Sequence, residues 1–221
     1  MSELSASDPD DPNEISASLD VSRETAQGLL HFAALLRRWT KTVNLISPRT
    51  LPNLWSRHMR DSAQVFHLVR QPPALWLDVG SGGGLPAIVC ALMAKGLHWP
   101  TTFTLVESDK RKAAFLATAC RELDLPATIR AERIEHVPPL GADLITARAF
   151  APLDALFEAA APHIRADTVM LFPKGARYRE EIAQADPHWR FTLKSHPSIT
   201  EPEARILECT DLSRRQEVSQ R

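Results

Sequence analysis

Cysteine, glycine and long apolar runs are scarce in this 221-residue chain. The three cysteines, Cys90, Cys120 and Cys209, lie far apart without a Cys-x-x-Cys pair, so neither a disulfide framework nor a zinc site is indicated. No segment has the roughly 18 consecutive apolar residues of a membrane span, and the polar N-terminus lacks the apolar core of a signal peptide. We therefore expect a cytoplasmic protein with buried thiols, no metal and no membrane partner.

Basic residues are absent from residues 1–20, which hold six of the acids, and the total charge of the chain is −1. A near-neutral total argues by itself against a nucleic-acid partner. Without this acidic segment, 26 basic residues face 21 acidic ones, and the remaining body carries +5. Residues 1–20 also have few large apolar side chains, which predicts a disordered acidic tail.

The remaining residues divide into a helical part and an alternating part. Apolar residues recur at helical spacing from 21 to 41, where Ser22 can cap a helix, and a second helix is expected within 51–70. We therefore predict an N-terminal helical segment over 21–70. In residues 71–212 short apolar runs alternate with helices, which predicts an α/β fold with a doubly wound, mostly parallel sheet. The polar residues 213–221 are expected to form a second tail.

Seven strands and four helices are predicted in the alternating part. The strands cover 75–79, 102–106, 127–131, 144–147 and 168–172, with two closing strands near 191–194 and 205–208. The helices cover 86–95, 110–123, 153–164 and 175–185.

Four of the eight glycines lie together in the segment 80–84, directly after the first predicted strand. Glycine is needed where φ is positive or where the backbone passes close to a ligand, and open α/β sheets bind ligands at the carboxyl ends of their strands. The segment lacks the Gly-x-Gly-x-x-Gly order of dinucleotide-binding proteins and the Gly-Lys-Ser/Thr of the P-loop. A ligand other than a dinucleotide or a P-loop nucleotide is therefore indicated.

The spacing of these glycines resembles the first motif of class I S-adenosylmethionine-dependent methyltransferases. In this chain the motif reads Asp78-x-Gly80-x-Gly82-x-Gly84. Glu107 follows the second predicted strand, where that class uses an acid to bind the two ribose hydroxyls, a charge-assisted pairing.

Further strings along the chain narrow the resemblance to one family. In order they are Asn44-Leu45, Arg57-His58-x-x-Asp61-Ser62, DVGSGGGLP at 78–86, ESDKRKAAFL at 107–116, Arg133-x-Glu135, Arg148-Ala-Phe-Ala151 and Lys174-Gly175. Over residues 25–210 they resemble the RsmG (GidB) family of 16S ribosomal RNA guanine-N7 methyltransferases. The resemblance implies S-adenosylmethionine as the cofactor. The cofactor contacts that it implies are Gly80, Leu85, Glu107, Ile134, Glu135 and Arg148.

Methylation of guanine N7 requires no general base from the protein, because the N7 lone pair is free without loss of a proton. No cysteine lies in the loop directly after the fourth or fifth predicted strand, as methylation of cytosine C5 would require. The segment 148–152 also lacks the Asn/Asp-Pro-Pro-aromatic loop of amine methylation. Proximity and electrostatics then suffice for catalysis, and the candidate catalytic residues at strand ends are Arg148, Phe150 and Lys174. Phe150 is expected either to stack on a base or to lie in the core.

The segment between Thr25 and Arg60 contains no Asp or Glu. Basic, acid-free segments with aromatic residues suit a phosphate backbone, although Trp39 fits the apolar stripe of its helix. His58 and Asp61 are three residues apart and share a helix face, which is compatible both with hydrogen-bonded packing and with substrate contact. The candidate RNA-binding residues are Arg37, Arg38, Lys41, Arg57, His58 and Arg133.

Two other functions stay open as alternatives. One is an NAD-dependent oxidoreductase, although Tyr178 has Ile182 rather than Lys four residues on. The other is a non-catalytic RNA-binding protein that senses S-adenosylmethionine. The favoured function is methylation of one guanine, and the expected partner is 16S ribosomal RNA or the small ribosomal subunit, with the protein acting as a monomer.

Overall fold

The computed structural model describes residues 12–215, in which one sheet is flanked by helices on both faces. The helices are α1 (Pro12–Leu19), α2 (Arg23–Thr40), α3 (Arg60–His67), α4 (Ala87–Gly96), α5 (Lys110–Glu122), α6 (Leu153–Ala160) and α7 (Tyr178–Ala185). The strands are β1 (Leu75–Val79), β2 (Thr102–Val106), β3 (Ala127–Arg130), β4 (Ala142–Thr146), β5 (Ile164–Lys174), β6 (Trp189–Pro197) and β7 (Arg205–Arg214).

The strand order is β3-β2-β1-β4-β5-β7-β6. The first five strands are parallel, and β7 is antiparallel to both β5 and β6, which confirms the predicted mostly parallel α/β sheet. In β1, Trp76 packs into the core under α2–α5, while Leu77 and Val79 pack into the core under α6 and α7. This alternation follows from the two-residue period of a strand. The parallel order brings the carboxyl ends of β1, β2 and β4 to one edge.

The N-terminal helices pack directly against this sheet. Ser22 caps α2, because its Oγ accepts a hydrogen bond from the Thr25 amide at 3.2 Å. Phe32 on the apolar stripe of α2 is buried. The half-buried ring of Trp39 lies 5.6 Å from that of Phe115, which confirms its predicted place in the stripe. The helical segment and the sheet therefore share one core.

The predicted acidic tail is wrong for residues 12–20. Residues 12–19 form α1, in which Ile15 and Leu19 are buried against the core. These two apolar residues are four apart and lie on one helix face, a signal that the surrounding acids and serines obscured. Residues 1–11 lie outside the described part of the chain.

The C-terminal boundary also differs from the prediction. Strand β7 continues to Arg214, whose guanidinium lies 5.0 Å from the centre of the Trp189 ring. The polar tail predicted from residue 213 is therefore wrong for residues 213 and 214, and residues 216–221 lie outside the described part.

The helix expected within 51–70 is divided into three pieces. A 3₁₀ turn at Leu51–Asn53 and a π-helical turn at Trp55–Met59 lead into α3. Such π-turns change which residues share a helix face. His58 lies in this turn and contacts Arg148, which follows β4.

The later elements shift by a few residues. Helix α6 ends at Ala160, because Pro162 cannot continue an α-helix, and β5 begins at Ile164 instead of 168. Helix α7 begins at Tyr178 instead of 175. Among the described residues, no helix is long and apolar enough to cross a membrane.

Candidate functional site

A cavity of about 380 Å³ opens at the carboxyl edge of the sheet. Its walls come from the glycine loop after β1, the end of β2, the segment after β3 and the loop after β4. The predicted site residues that line it are Gly80, Gly82, Leu85, Glu107, Arg133, Ile134, Glu135, Arg148 and Phe150.

The glycine loop is shaped by positive φ angles. Gly80 and Gly82 have φ values of +67° and +53°, in the left-handed region that favours glycine. A Cβ on Gly80 would lie 2.1 Å from Cδ2 of Phe150, so the phenyl ring rests on bare backbone. The loop therefore requires glycine both for its conformation and for the approach of this ring.

Glu107 fastens the loop to the end of β2. Its Oε2 accepts a hydrogen bond from the Gly82 amide at 2.8 Å, and its Oε1 accepts one from the Asp109 amide at 2.8 Å. A carboxylate has about four acceptor positions, so these two bonds leave capacity for two hydroxyl donors. The buried but cavity-lining carboxylate thus fits the two ribose hydroxyls of a nucleoside.

Two residues of the predicted glycine motif do not line this cavity. Asp78 lies beneath the loop, where its Oδ1 accepts a hydrogen bond from Thr146 Oγ1 at 2.6 Å, and burial raises its pKa to about 6. A Cβ on Gly84 would lie 2.5 Å from Cδ1 of Ile88, so Gly84 allows α4 to pack closely against the loop. Both residues support the loop from behind.

Arg148 is held by two residues of the N-terminal helical segment. Its Nη1 donates to Asp61 Oδ2 at 2.9 Å, and its Nη2 donates to His58 Nδ1. Because a guanidinium only donates, His58 Nδ1 must be the acceptor, and its Nε2–H can then donate to Thr50 Oγ1 at 2.8 Å. Desolvation, together with Arg148 and Arg57, lowers the pKa of His58 to about 4, so the ring is neutral. His58 and Asp61 are thus both hydrogen-bonded to Arg148 and not to each other.

A second cavity of about 590 Å³ lies on the other side of the Arg148–Phe150 segment. Lys174 lines it, donating to the Ala151 carbonyl at 2.7 Å and pairing with Glu181 at 2.7 Å. Lys174 is therefore beside the second cavity and not in the first. Sequence reasoning missed Glu181, whose only signal was its position on the helix that follows Lys174.

The candidate RNA-binding residues do not lie together, and His58 is buried. Arg57 lines the second cavity and pairs with Glu201 at 2.7 Å. Arg38 is exposed and lies 3.8 Å from Glu122. Arg37, Arg38 and Lys41 at the end of α2 line neither of the two cavities. Among the described residues no group of three or more His, Cys, Asp or Glu side chains is arranged to hold a metal.

Comparison with known proteins identifies the family. The family model described as "rRNA small subunit methyltransferase G" (GidB) matches residues 25–207. The chain belongs to this family. It is 50% identical over 197 residues to the ribosomal RNA small subunit methyltransferase G of Cereibacter sphaeroides, covering 89% of this chain and 96% of the relative. It is 43% identical to the protein of the same name from Paramagnetospirillum magneticum, covering 92% and 97%.

Solved structures agree on the fold. A SAM-dependent methyltransferase from Aquifex aeolicus superposes with a TM-score of 0.54 at 11% identity, covering 72% of this chain and 92% of that one. Aeropyrum pernix fibrillarin, solved with natively bound S-adenosyl-L-methionine, gives 0.53 at 17% identity and covers 70% and 75%. The predicted family and the predicted Rossmann-like methyltransferase fold are confirmed.

Proposed function

We propose that this protein transfers a methyl group from S-adenosylmethionine to N7 of a guanine in 16S ribosomal RNA. The observation that carries the proposal is a glycine-lined cavity that contains the carboxylate of Glu107 and meets a second cavity at the Arg148–Phe150 segment. Membership of the rRNA small subunit methyltransferase G family supports it. The proposal assigns one cavity to the cofactor and the other to the target nucleotide.

The first cavity fits S-adenosylmethionine, which supplies an electrophilic methyl group when bound. Glu107 would accept from the ribose hydroxyls, and the glycine loop would allow close approach of the backbone. Ile134 and Glu135 would flank the adenine end, and Leu85 would add apolar contact. Asp78 and Gly84 act by holding the loop in shape.

We propose a nitrogen as the target because none of the three cysteines lines either cavity, which leaves no nucleophile for methylation at cytosine C5. Burial raises the pKa of Cys120 to about 11 and that of Cys209 to about 12, and it also raises the pKa of Cys90. A thiol with a raised pKa is a poor nucleophile for methylation at cytosine C5. The N7 lone pair of guanine needs neither a nucleophile nor a base, so orientation is the main task of the protein.

Phe150, Arg148 and Lys174 supply that orientation. Phe150 is 43% exposed and borders both cavities, which suits a ring that stacks on a flipped-out base. Arg148 forms the wall between the cavities, and Lys174 fixes the following loop through Ala151. We propose that the basic end of α2, with Arg37, Arg38 and Lys41, contacts RNA phosphates together with Arg57 and Arg133. His58 would reach the RNA only through Arg148.

The cytoplasm is the proposed location and a monomer the proposed working unit. The N-terminal helices over residues 21–70 would face the RNA, and the sheet would carry the cofactor.

Incubation with labelled S-adenosylmethionine tests the proposal. The substrates are 16S RNA and small subunits from cells that lack this protein, and RNA from cells that contain it is the control. We expect label in the first RNA and none in the control, which is already methylated. Cofactor binding without transfer to either substrate would instead support a non-catalytic RNA-binding protein.

A further inference from the structure

Five arginine and lysine side chains line the second cavity, and three of them are paired with a carboxylate. Three such pairs involve side chains on its wall. Their N···O distances are 2.9 Å for Arg148–Asp61, 2.7 Å for Arg57–Glu201 and 2.7 Å for Lys174–Glu181. Pairing makes each of these three positions nearly neutral. A surface that only bound phosphate would bind it more tightly if its cations were unpaired.

The pair of Arg148 and Asp61 lies closest to the proposed chemistry. Of the three cations, only Arg148 also lines the cofactor cavity. Its side chain is 16% exposed and that of Asp61 is 19% exposed, so water screens the pair weakly. The neutral ring of His58 accepts the second hydrogen bond from Arg148, so no other charge is added within this contact.

Asp61 is held in place from three sides. Its Oδ2 accepts from Arg148, and its Oδ1 accepts from Gln64 Nε2 at 2.7 Å and from Thr200 Oγ1 at 2.8 Å. Thr200 lies between β6 and β7, and Gln64 lies on α3, so the carboxylate is fixed between two distant parts of the chain. Its place and its negative charge are therefore built into the fold.

Methylation at N7 moves a positive charge toward this wall. The N7 lone pair forms the new bond to the methyl carbon, the bond from that carbon to sulfur breaks, and its electron pair stays on sulfur. The sulfonium becomes a neutral thioether, the guanine becomes a cation, and no proton is transferred. A bare guanidinium beside the base would repel that developing charge.

We propose that Asp61 is a positioning residue that neutralises Arg148, so that Arg148 can orient the guanine without opposing the positive charge that methylation creates. This role rests on the proposed N7 reaction. It assigns to Asp61 an effect on the rate of transfer.

Asp61→Asn tests the proposal, because it removes the charge and keeps the size of the side chain. We expect kcat to fall roughly ten- to a hundredfold, the size of one uncompensated charge in a weakly screened site. KM for RNA, in which the guanine is still neutral, should change by less than about threefold, a shift below 1 kcal/mol. In an Arg148→Gln background, the same substitution should change the single-turnover rate by less than about twofold, because there is no cation left to neutralise.

Two control variants separate charge from packing. Thr200→Val removes one hydrogen bond to Asp61 and leaves its charge, so kcat should fall far less than in Asp61→Asn. Asp143→Asn removes a similarly sheltered carboxylate, paired with Arg165 at 2.6 Å at the opposite edge of the sheet, and should lower the melting temperature without changing kcat.

A binding measurement keeps the test independent of turnover. One rRNA fragment is prepared with guanine and with 7-methylguanine at the target position. Asp61→Asn should weaken binding of the methylated, cationic fragment more than that of the unmethylated one. Equal weakening of both fragments, or equal effects of Asp61→Asn with and without Arg148, would overturn the role of Asp61 even if the wild-type protein methylates N7. Methylation of another atom by the wild-type protein would overturn the proposed function itself.

Discussion

The walls of the two cavities are formed by different kinds of groups, mainly backbone in one and charged side chains in the other. The cofactor cavity is shaped by backbone, because the glycine loop, its positive φ angles and a carboxylate bonded to two amides form most of its critical wall. The second cavity is shaped by paired charged side chains that come from α3, the loop after β4, β5, α7 and the β6–β7 turn. A change to the first should therefore weaken cofactor binding, whereas a change to the second should alter rate or selectivity.

Gly82→Val gives the largest expected effect and tests the backbone-built cavity. Valine at a φ of +53° is strained, and the amide of Gly82 would lose its alignment with Glu107. We expect affinity for S-adenosylmethionine to fall by more than about 3 kcal/mol, beyond detection by calorimetry. Gly175→Ala adds a Cβ in open space and serves as the matched control. Near-normal affinity in Gly82→Val would show that the loop does not shape the cofactor site.

The buried carboxyl of Asp78 gives a pH dependence of stability that belongs to neither cavity. Burial raises its pKa from 3.8 to about 6, so between these values the folded protein holds a proton that the unfolded chain has lost. The contribution of Asp78 to stability therefore falls as the pH rises through this window, by at most about 3 kcal/mol.

Urea unfolding of the wild-type protein and of Asp78→Asn at about pH 4 and pH 7 measures this contribution. The free energy of unfolding of the wild-type protein, minus that of the variant, should be smaller at pH 7 than at pH 4. A difference that does not change with pH would contradict the account of the loop support.

Glu107→Gln sharpens the contrast between amide-bonded and ion-paired carboxylates. The glutamine side chain has one oxygen where the carboxylate has two, so it cannot accept from both the Gly82 and the Asp109 N–H groups in the same way. One of these two donors is then left without its acceptor. We expect S-adenosylmethionine to bind about tenfold to fiftyfold more weakly, by calorimetry. Glu122→Gln, on the surface beside His31, should leave this affinity unchanged.

Replacement of Arg37, Arg38 and Lys41 by Ala gives the smallest effect and probes a surface outside both cavities. Affinity for 16S RNA should fall about threefold to tenfold, and the slope of log affinity against log salt should become less steep by about 2. Arg190→Ala on the edge strand β6 is the control. An unchanged slope would show that this end of α2 faces away from the RNA.

The contrast also explains what could be predicted from the sequence. Gly80, Gly82 and Glu107 follow consecutive strands, so a local motif and the rule for strand ends place them together. The ion pair of Arg148 joins residues 87 positions apart, and Thr200 joins Asp61 across 139 positions, so no local pattern reveals either contact.

Two further misses have local physical causes. Helix α1 was hidden because only Ile15 and Leu19 mark its buried face. The π-helical turn at Trp55–Met59 interrupts the expected regular helix, and a pattern with a 3.6-residue period does not anticipate such a turn.

Mapping the methylated atom tests the central claim most directly. Small subunits from cells that lack this protein would be incubated with the protein and S-adenosylmethionine. Their RNA would then be treated with borohydride and aniline, which cleave RNA at 7-methylguanine, and the cleavage sites would be mapped by primer extension. The account predicts one new cleavage site in 16S RNA, at a guanine, that depends on S-adenosylmethionine. Incorporated methyl label without any cleavage would place the methyl group on another atom and contradict the claim.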